Sequence, residues 1–228
     1  MKIAGVAAKW LFILCLPVLL LTTSISAALN SLCLYEYGFD KYEVEQTTGL
    51  ADAELEKAAR GLIEYFNSGE EYIDVTVVKD GRPLVLFNQR EVIHLKDVKE
   101  LFRLNYKVLL VTLIYALAYA GVSLFWRRRR FWRQLAQAVV WGSGITLALM
   151  LLLGLGALLN FEQLFWQFHL ISFANEFWQL DPARDYLIML FPGGFWLDAT
   201  LFIAQGAVVG AVVLGGVGVS VIKSRAVT

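Results

Sequence analysis

Four apolar stretches, residues 10–29, 108–126, 135–159 and 195–222, constrain what this chain can fold into more than any other feature. A bilayer crossing takes about 20 mostly apolar residues, and each stretch meets that length. The last two exceed it, so tilt or overhang into the interface is expected of them. With 58% apolar residues in 228 positions, the chain is also too apolar for an ordinary globular core. The expected fold class is an α-helical membrane protein, a four-transmembrane-helix bundle with a small α+β extracytoplasmic cap.

The formal net charge is zero, which conceals a sharp asymmetry. The short polar segments at one side carry Lys2 and Lys9, then Arg127, Arg128, Arg129, Arg130 and Arg133, then Lys223 and Arg225, with no acidic residue among them. All 20 carboxylates lie in the other two segments, from Glu36 to Glu100 and from Glu162 to Asp198. Lys and Arg in short loops stay cytoplasmic. The expected topology therefore places residues 1–9, 127–134 and 223–228 inside, and residues 30–107 and 160–194 outside, in a multi-pass protein of a bacterial cytoplasmic membrane.

No inner segment is long enough to fold, which argues against a nucleotide-binding or kinase domain and against direct use of ATP. The arginine run reads better as a topology determinant than as a nucleic-acid patch. Ser26-Ala27-Ala28 would suit a signal peptidase, but the first apolar run is long for a signal peptide, and its retention is expected. Cys15 and Cys33 are separated by 18 residues, about 27 Å of helix at about 1.5 Å per residue. That is too far for a disulfide.

Within the cap, Thr48 or Asp52 can open a helix whose apolar positions Leu55, Ala58, Ala59, Leu62, Ile63 and Phe66 recur at helical spacing, with Gly69 ending it. Tyr72 to Val78 reads as a strand, Asp80-Gly81 as a hairpin turn, and Leu84 to Phe87 as the return strand. An additional strand is expected around Tyr35 to Glu45. In the second outer segment Phe161, Phe165, Trp166, Phe168, Phe173, Phe177 and Trp178 crowd together, a composition favoured in the interface plane. Asp181-Pro182 reads as an N-cap and first helical position, opening a short helix through Leu190. Gly206 and Gly210 give the last span a small-xxx-small face suited to bundle packing.

Familiar catalytic motifs are absent: there is no His-Glu-x-x-His, Cys-x-x-Cys, phosphate-binding glycine loop or Gly-x-Ser-x-Gly elbow. The chain has only two histidines, His94 and His169, and both fall at the outer ends of apolar stretches. Histidine can both take and give a proton near neutrality. Two of them meeting at a water–lipid boundary would make an acid–base pair. A divalent metal held by the histidines with Asp97, Asp181 or Asp185 is the weaker reading, and no metal or other cofactor is expected. The plainer alternatives are a helix-end residue for His94 and an interfacial aromatic neighbour for His169.

Two segments carry more than this. They are Glu91-Val92-Ile93-His94-Leu95-Lys96-Asp97-Val98-Lys99-Glu100-Leu101, and Phe168-His169 followed by Asn175, Trp178, Asp181-Pro182, Asp185, Leu187-Ile188 and Phe191-Pro192. In this order and topology they resemble the lipoprotein intramolecular transacylases, small bacterial membrane enzymes with four spans and an extracellular cap. The motif-level match covers roughly residues 86–101 and 161–198.

The resemblance implies an acyltransferase of lipoprotein maturation. Its substrate would be the lipidated N-terminal cysteine of a lipoprotein in the membrane, with no nucleotide or nucleic acid involved. The sn-2 acyl chain would pass from the glyceryl oxygen to the cysteine's own α-amino group, giving the lyso form. Nucleophile and electrophile belong to one molecule, so the protein needs no nucleophile and no covalent intermediate, and ester-to-amide conversion is downhill.

What remains for the protein is positioning and proton handling. His94 and His169 are the expected catalytic pair, one as base and the other, as imidazolium, serving the oxyanion or the leaving group. Glu91, Asp97, Asn175, Asp181 and Asp185 are candidates to orient an imidazole or a loop, Asp181 having helix capping as its alternative. Arg90, Lys99 and Arg184 are candidates for an oxyanion site, with an exposed face as the plainer reading. Phe165, Trp166, Phe168, Phe173, Trp178 and Trp196 are expected to line the substrate pocket. The competing readings are a non-enzymatic membrane accessory or sensor protein, and a metal-dependent membrane hydrolase.

Overall fold

The structure, a computed structural model, describes residues 2–126 and 130–224. Arg127, Arg128, Arg129 and Arg225 of the charge argument lie outside the described residues. Four helices are long and apolar enough to cross a membrane: Gly5–Leu29, Gln89–Phe125, Trp132–Ser172 and Gly193–Ser224. They belong to α1 (Lys2–Leu29), α5 (Gln89–Gly121, continued by the π-turns Val122–Trp126), α6 (Arg130–Ser172) and α8 (Gly193–Ser224). The chain is a multi-pass membrane protein. Three of these helices run past the apolar stretches of the sequence because the flanking polar residues continue as helix.

The chain divides into two compact units. The first comprises Met1–Ser26, Asn105–Gly156 and Leu201–Thr228. Its helices approach closely where glycine removes a side chain. A Cβ on Gly142 would lie 2.9 Å from Leu16 Cδ2, one on Gly206 2.9 Å from Ser24 Oγ, and one on Gly210 2.8 Å from Leu20 Cδ2. Gly206 and Gly210 are thus used for packing α8 against α1 inside this unit. Phe12, Ile13 and Ala138 pack together with Tyr115 and Tyr119 around them, the Phe12 and Tyr119 rings stacking at 4.7 Å. Polar ties supplement the packing: Asn105 Nδ2 donates to Ser26 Oγ at 2.8 Å, and Tyr115 donates its hydroxyl to the Ala8 carbonyl at 2.8 Å. Leu110, Val111, Ile114 and Leu117 are exposed, as the lipid-facing residues of a spanning helix are.

The second unit comprises Ala27–Leu104 and Ala157–Thr200. The strand expected around Tyr35 to Glu45 is instead two helices, α2 (Leu32–Lys41) and α3 (Val44–Thr48). Tyrosine and valine favour strands only through their surroundings. Here Leu34, Tyr35, Gly38 and Phe39 form one buried helical face. Gly38 permits the close approach of Phe195, whose ring a Cβ at that position would run into.

Helix α4 (Asp52–Asn67) buries Leu55, Ala58, Ala59, Leu62 and Phe66 as its periodicity requires. Its N-cap is Ala51, with no side-chain bond, so neither Thr48 nor Asp52 caps it. The Thr48 hydroxyl is occupied in closing α3, donating to the Val44 carbonyl at 2.7 Å and accepting from the Leu50 amide at 3.2 Å. Asp52 sits in the first turn, where the helix dipole favours a carboxylate. Strands β1 (Thr76–Lys79) and β2 (Arg82–Val85) form an antiparallel hairpin that stops short of the expected outer ends and runs closer to the turn than expected. Asp80 at φ 52° and Gly81 at φ 73° make the left-handed pair that a two-residue hairpin turn requires.

Candidate active site

His94 is placed by the start of α5. Asn88 precedes that helix and its Oδ1 accepts from the amides of Arg90 at 2.9 Å and Glu91 at 3.2 Å. Glu91 returns the bond, its Oε2 accepting from the Asn88 amide at 2.7 Å. This is a reciprocal capping box. It makes the helix begin at Gln89 rather than at His94 and puts His94 one turn further along. Asn88 was not among the expected site residues, although an Asn three positions before a Glu is a sequence signature of this cap.

Glu91 also reaches beyond its helix: its Oε1 accepts from the Leu187 amide at 2.6 Å, and the residue is fully buried. Asp185 joins the same cluster, with Oδ1 accepting from Asn88 Nδ2 at 2.8 Å and Oδ2 from the Asp181 amide at 2.7 Å. The short helix α7 is Tyr186–Leu190, so it starts later than expected, with Asp185 as its N-cap and no side-chain cap bond. Asp181 instead closes a turn, accepting from the Ala183 amide at 2.9 Å and from Arg184 Nε at 3.0 Å. These two donors hold its carboxyl below the usual range, the amide contributing first.

His169 is placed by a break in α6. Asn160 has φ −159° and ψ 79°, and its Oδ1 accepts from the Gln163 amide at 3.1 Å, capping a new helical run that carries the aromatic residues. His169 lies in the last turn of that run. Its Nδ1 is 2.7 Å from the Phe165 carbonyl oxygen. A carbonyl can only accept, so Nδ1 carries the proton and Nε2 is left with a lone pair.

The two imidazoles come together. The ring centroids of His94 and His169 are 6.0 Å apart with a 31° tilt, and both residues are buried. His94 Nδ1 meets no hydrogen-bond partner among the described residues. Phe173 touches both rings, at 4.9 Å from His94 and 5.4 Å from His169. Around His169 stand Phe165 at 4.4 Å, Trp178 at 4.9 Å and Phe168 at 5.4 Å. Trp196 stacks behind Phe165 at 5.8 Å. Trp166 is half exposed and makes no ring contact with this group among the described residues.

His94 precedes the apolar part of α5, and His169 follows the Asn160 break in α6.

Among the remaining candidates, Asp97 is half-buried on α5 one turn beyond His94, and its Oδ2 accepts from Asn175 Nδ2 at 2.8 Å. Arg90 donates to the Glu176 carbonyl at 2.6 Å and so holds the same strap of chain. Lys99 is buried, not exposed. It donates to the Glu70 carbonyl at 2.7 Å and to Ser68 Oγ at 3.1 Å, and lies 3.9 Å over the Tyr65 ring. Arg184 pairs with Asp181 at the surface.

Comparison with known proteins agrees with this layout. Residues 10–196 match the family model of the lipoprotein intramolecular transacylase Lit. The fold is similar over its whole length to the in meso structure of the membrane integral lipoprotein intramolecular transacylase Lit from Bacillus cereus, with TM-score 0.82, 18% identity and 100% of both chains covered. A variant of that protein carrying a histidine-to-arginine change matches with TM-score 0.77 and 19% identity over 97% of this chain and 93% of that one. An uncharacterized protein of Aquifex aeolicus (strain VF5) is 30% identical over 118 residues, 52% of this chain. Over that match the chain spans about half the length of the curated relative, 50%. With four spanning helices, a two-stranded sheet and a family match over most of its length, the chain belongs to the lipoprotein intramolecular transacylase family.

Proposed function

We propose that this protein moves the sn-2 acyl chain of a diacylglyceryl-cysteine lipoprotein from the glyceryl oxygen to the cysteine α-amino group, with His94 and His169 handling the protons. The observation that carries the reading is the approach of these two buried imidazoles, 6.0 Å between centroids, from segments far apart in the chain. Family membership supplies the substrate class.

The α-amine enters the site as an ammonium, gives that proton to water there and attacks the ester carbonyl. As the new C–N bond forms, the amine nitrogen gives a proton to Nε2 of His169, the nitrogen left basic by the bond from Nδ1 to Phe165. His94, neutral and buried, donates an N–H to the carbonyl oxygen as negative charge gathers there. The C–O bond then breaks, and the His169 imidazolium delivers its proton to the departing glyceryl oxygen. Neither ring need be charged at rest. The aromatic group around His169 keeps water from the adduct and folds a flexible chain into a medium ring, where orientation brings large gains.

The termini and the arginine segment face the cytoplasm in this reading, with residues 30–107 and 160–194 outside. The first apolar segment is retained, a view favoured by the packing of α1 against Gly142, Gly206 and Gly210. The test is expression in a host lacking such an enzyme, followed by mass spectrometry of a model lipoprotein. The N-terminal cysteine should gain an N-acyl group while its glyceryl loses an acyl chain. A lipoprotein left with both glyceryl acyl chains would overturn the reading.

A further inference from the structure

Asp97 is a half-buried carboxyl on α5 that pairs with no cation among the described residues. The cations of the same part of α5 are engaged elsewhere: Arg90 with the Glu176 carbonyl, Lys96 with Glu71, Lys99 with Glu70 and Ser68, and Arg103 with Glu100. Among the described residues Asp97 enters no ion pair. Its Oδ2 is held by the Asn175 side chain at 2.8 Å, which aims the group without neutralising it. Residues three apart on a helix share a face, with Cβ atoms about 5–6 Å apart. The carboxylate is therefore a neighbour of the His94 ring.

A half-buried carboxyl that enters no ion pair among the described residues, beside two imidazoles, is suited to a small cation. The proposed reaction brings one. An α-amino group has a pKa of about 8, so the nitrogen arrives as an ammonium. We propose that Asp97 binds the α-ammonium group of the substrate's N-terminal cysteine and holds that nitrogen beside the histidine pair. This rests on the transacylase reading and adds the group that recognises a free N-terminus. A lipoprotein already acylated on nitrogen offers Asp97 no cation, so the enzyme rejects its own product at this contact.

The alternative is that Asp97 only pins the Asn175 strap. Asp97→Asn separates the two, because its amide oxygen still accepts from Asn175 while the charge is gone. Asn175→Ala removes the pin and keeps the charge. Binding of a synthetic diacylglyceryl-cysteine peptide with a free amine, and of its N-acetylated counterpart, is measured in a His169→Ala background so that nothing turns over. A charge-assisted bond of this kind corresponds to about tenfold or more in affinity.

The background protein should prefer the free-amine peptide by that factor. Asp97→Asn should abolish the preference while leaving affinity for the acetylated peptide unchanged, which also reports that the site is folded. Asn175→Ala should retain the preference. Equal binding of the two peptides before the change, or a preference that survives Asp97→Asn, would overturn the proposal. Failure of the wild-type protein to convert the free-amine peptide is a separate result and counts against the transacylase reading itself.

Discussion

His94 and His169 face one another at 6.0 Å, but only His169 has its Nδ1 tied, to the Phe165 carbonyl one turn earlier in its helix. His94 Nδ1 is buried with no partner among the described residues. One ring is locked in a single tautomer with Nε2 left to accept, and the other has no partner at Nδ1 among the described residues. A matched pair of histidines thereby acquires unlike hydrogen bonding from backbone geometry.

The strap that carries Trp178 to His169 depends on the buried carboxylate of Glu91. Both oxygens of Glu91 accept backbone amides, from Asn88 and Leu187. Glu91→Gln turns an NH2 group toward one of these donors and leaves a buried N–H unsatisfied, at a cost of about 1–3 kcal/mol. Thermal unfolding in detergent should move to lower temperature, and the Leu187 amide should exchange faster with solvent. Unchanged exchange at Leu187 would show that the carboxylate does not hold this segment.

Lys99 takes part in the packing of the second unit through its bonds to Glu70 and Ser68. Lys99→Met removes its bonds to Glu70 and Ser68 and should lower stability by about 1–3 kcal/mol. The kcat/KM of the surviving folded enzyme should stay at the wild-type level. A large fall in kcat at full stability would return Lys99 to the oxyanion site.

Gly38 lets α2 lie against Phe195, which is 3% exposed. Overpacking at such a contact costs about 1–3 kcal/mol. Gly38→Ala should therefore reduce the unfolding temperature, whereas Gly69→Ala, where a Cβ meets nothing within 4 Å, should not. Equal stability of the two variants would contradict the tight approach.

Much of this was legible in the sequence, and for identifiable reasons. Spanning helices announce themselves by apolar length, and the Asp80-Gly81 turn by the backbone it needs. His94 and His169 stood out because their surrounding segments resemble one family, not because of spacing. The segment Tyr35 to Glu45 was misread because its face is defined by what packs on it, including Phe195 from far along the chain. Asp181-Pro182 mimics a helix start, yet the aspartate is spent on a turn with Ala183 and Arg184. The capping box of Asn88 and Glu91 was readable locally. Its third bond, to Leu187, was not, since nothing in a sequence marks a backbone amide as needing a distant carboxylate.

The account stands most directly on the single-turnover rate at which purified protein converts a free-amine diacylglyceryl-cysteine peptide to its N-acyl lyso form, followed by mass spectrometry. His169→Ala should slow this step by about 10²–10⁴-fold, the usual contribution of a positioned general base, while the variant still inserts and unfolds like the parent. A His169→Ala protein that forms the lyso product at the wild-type rate would contradict it.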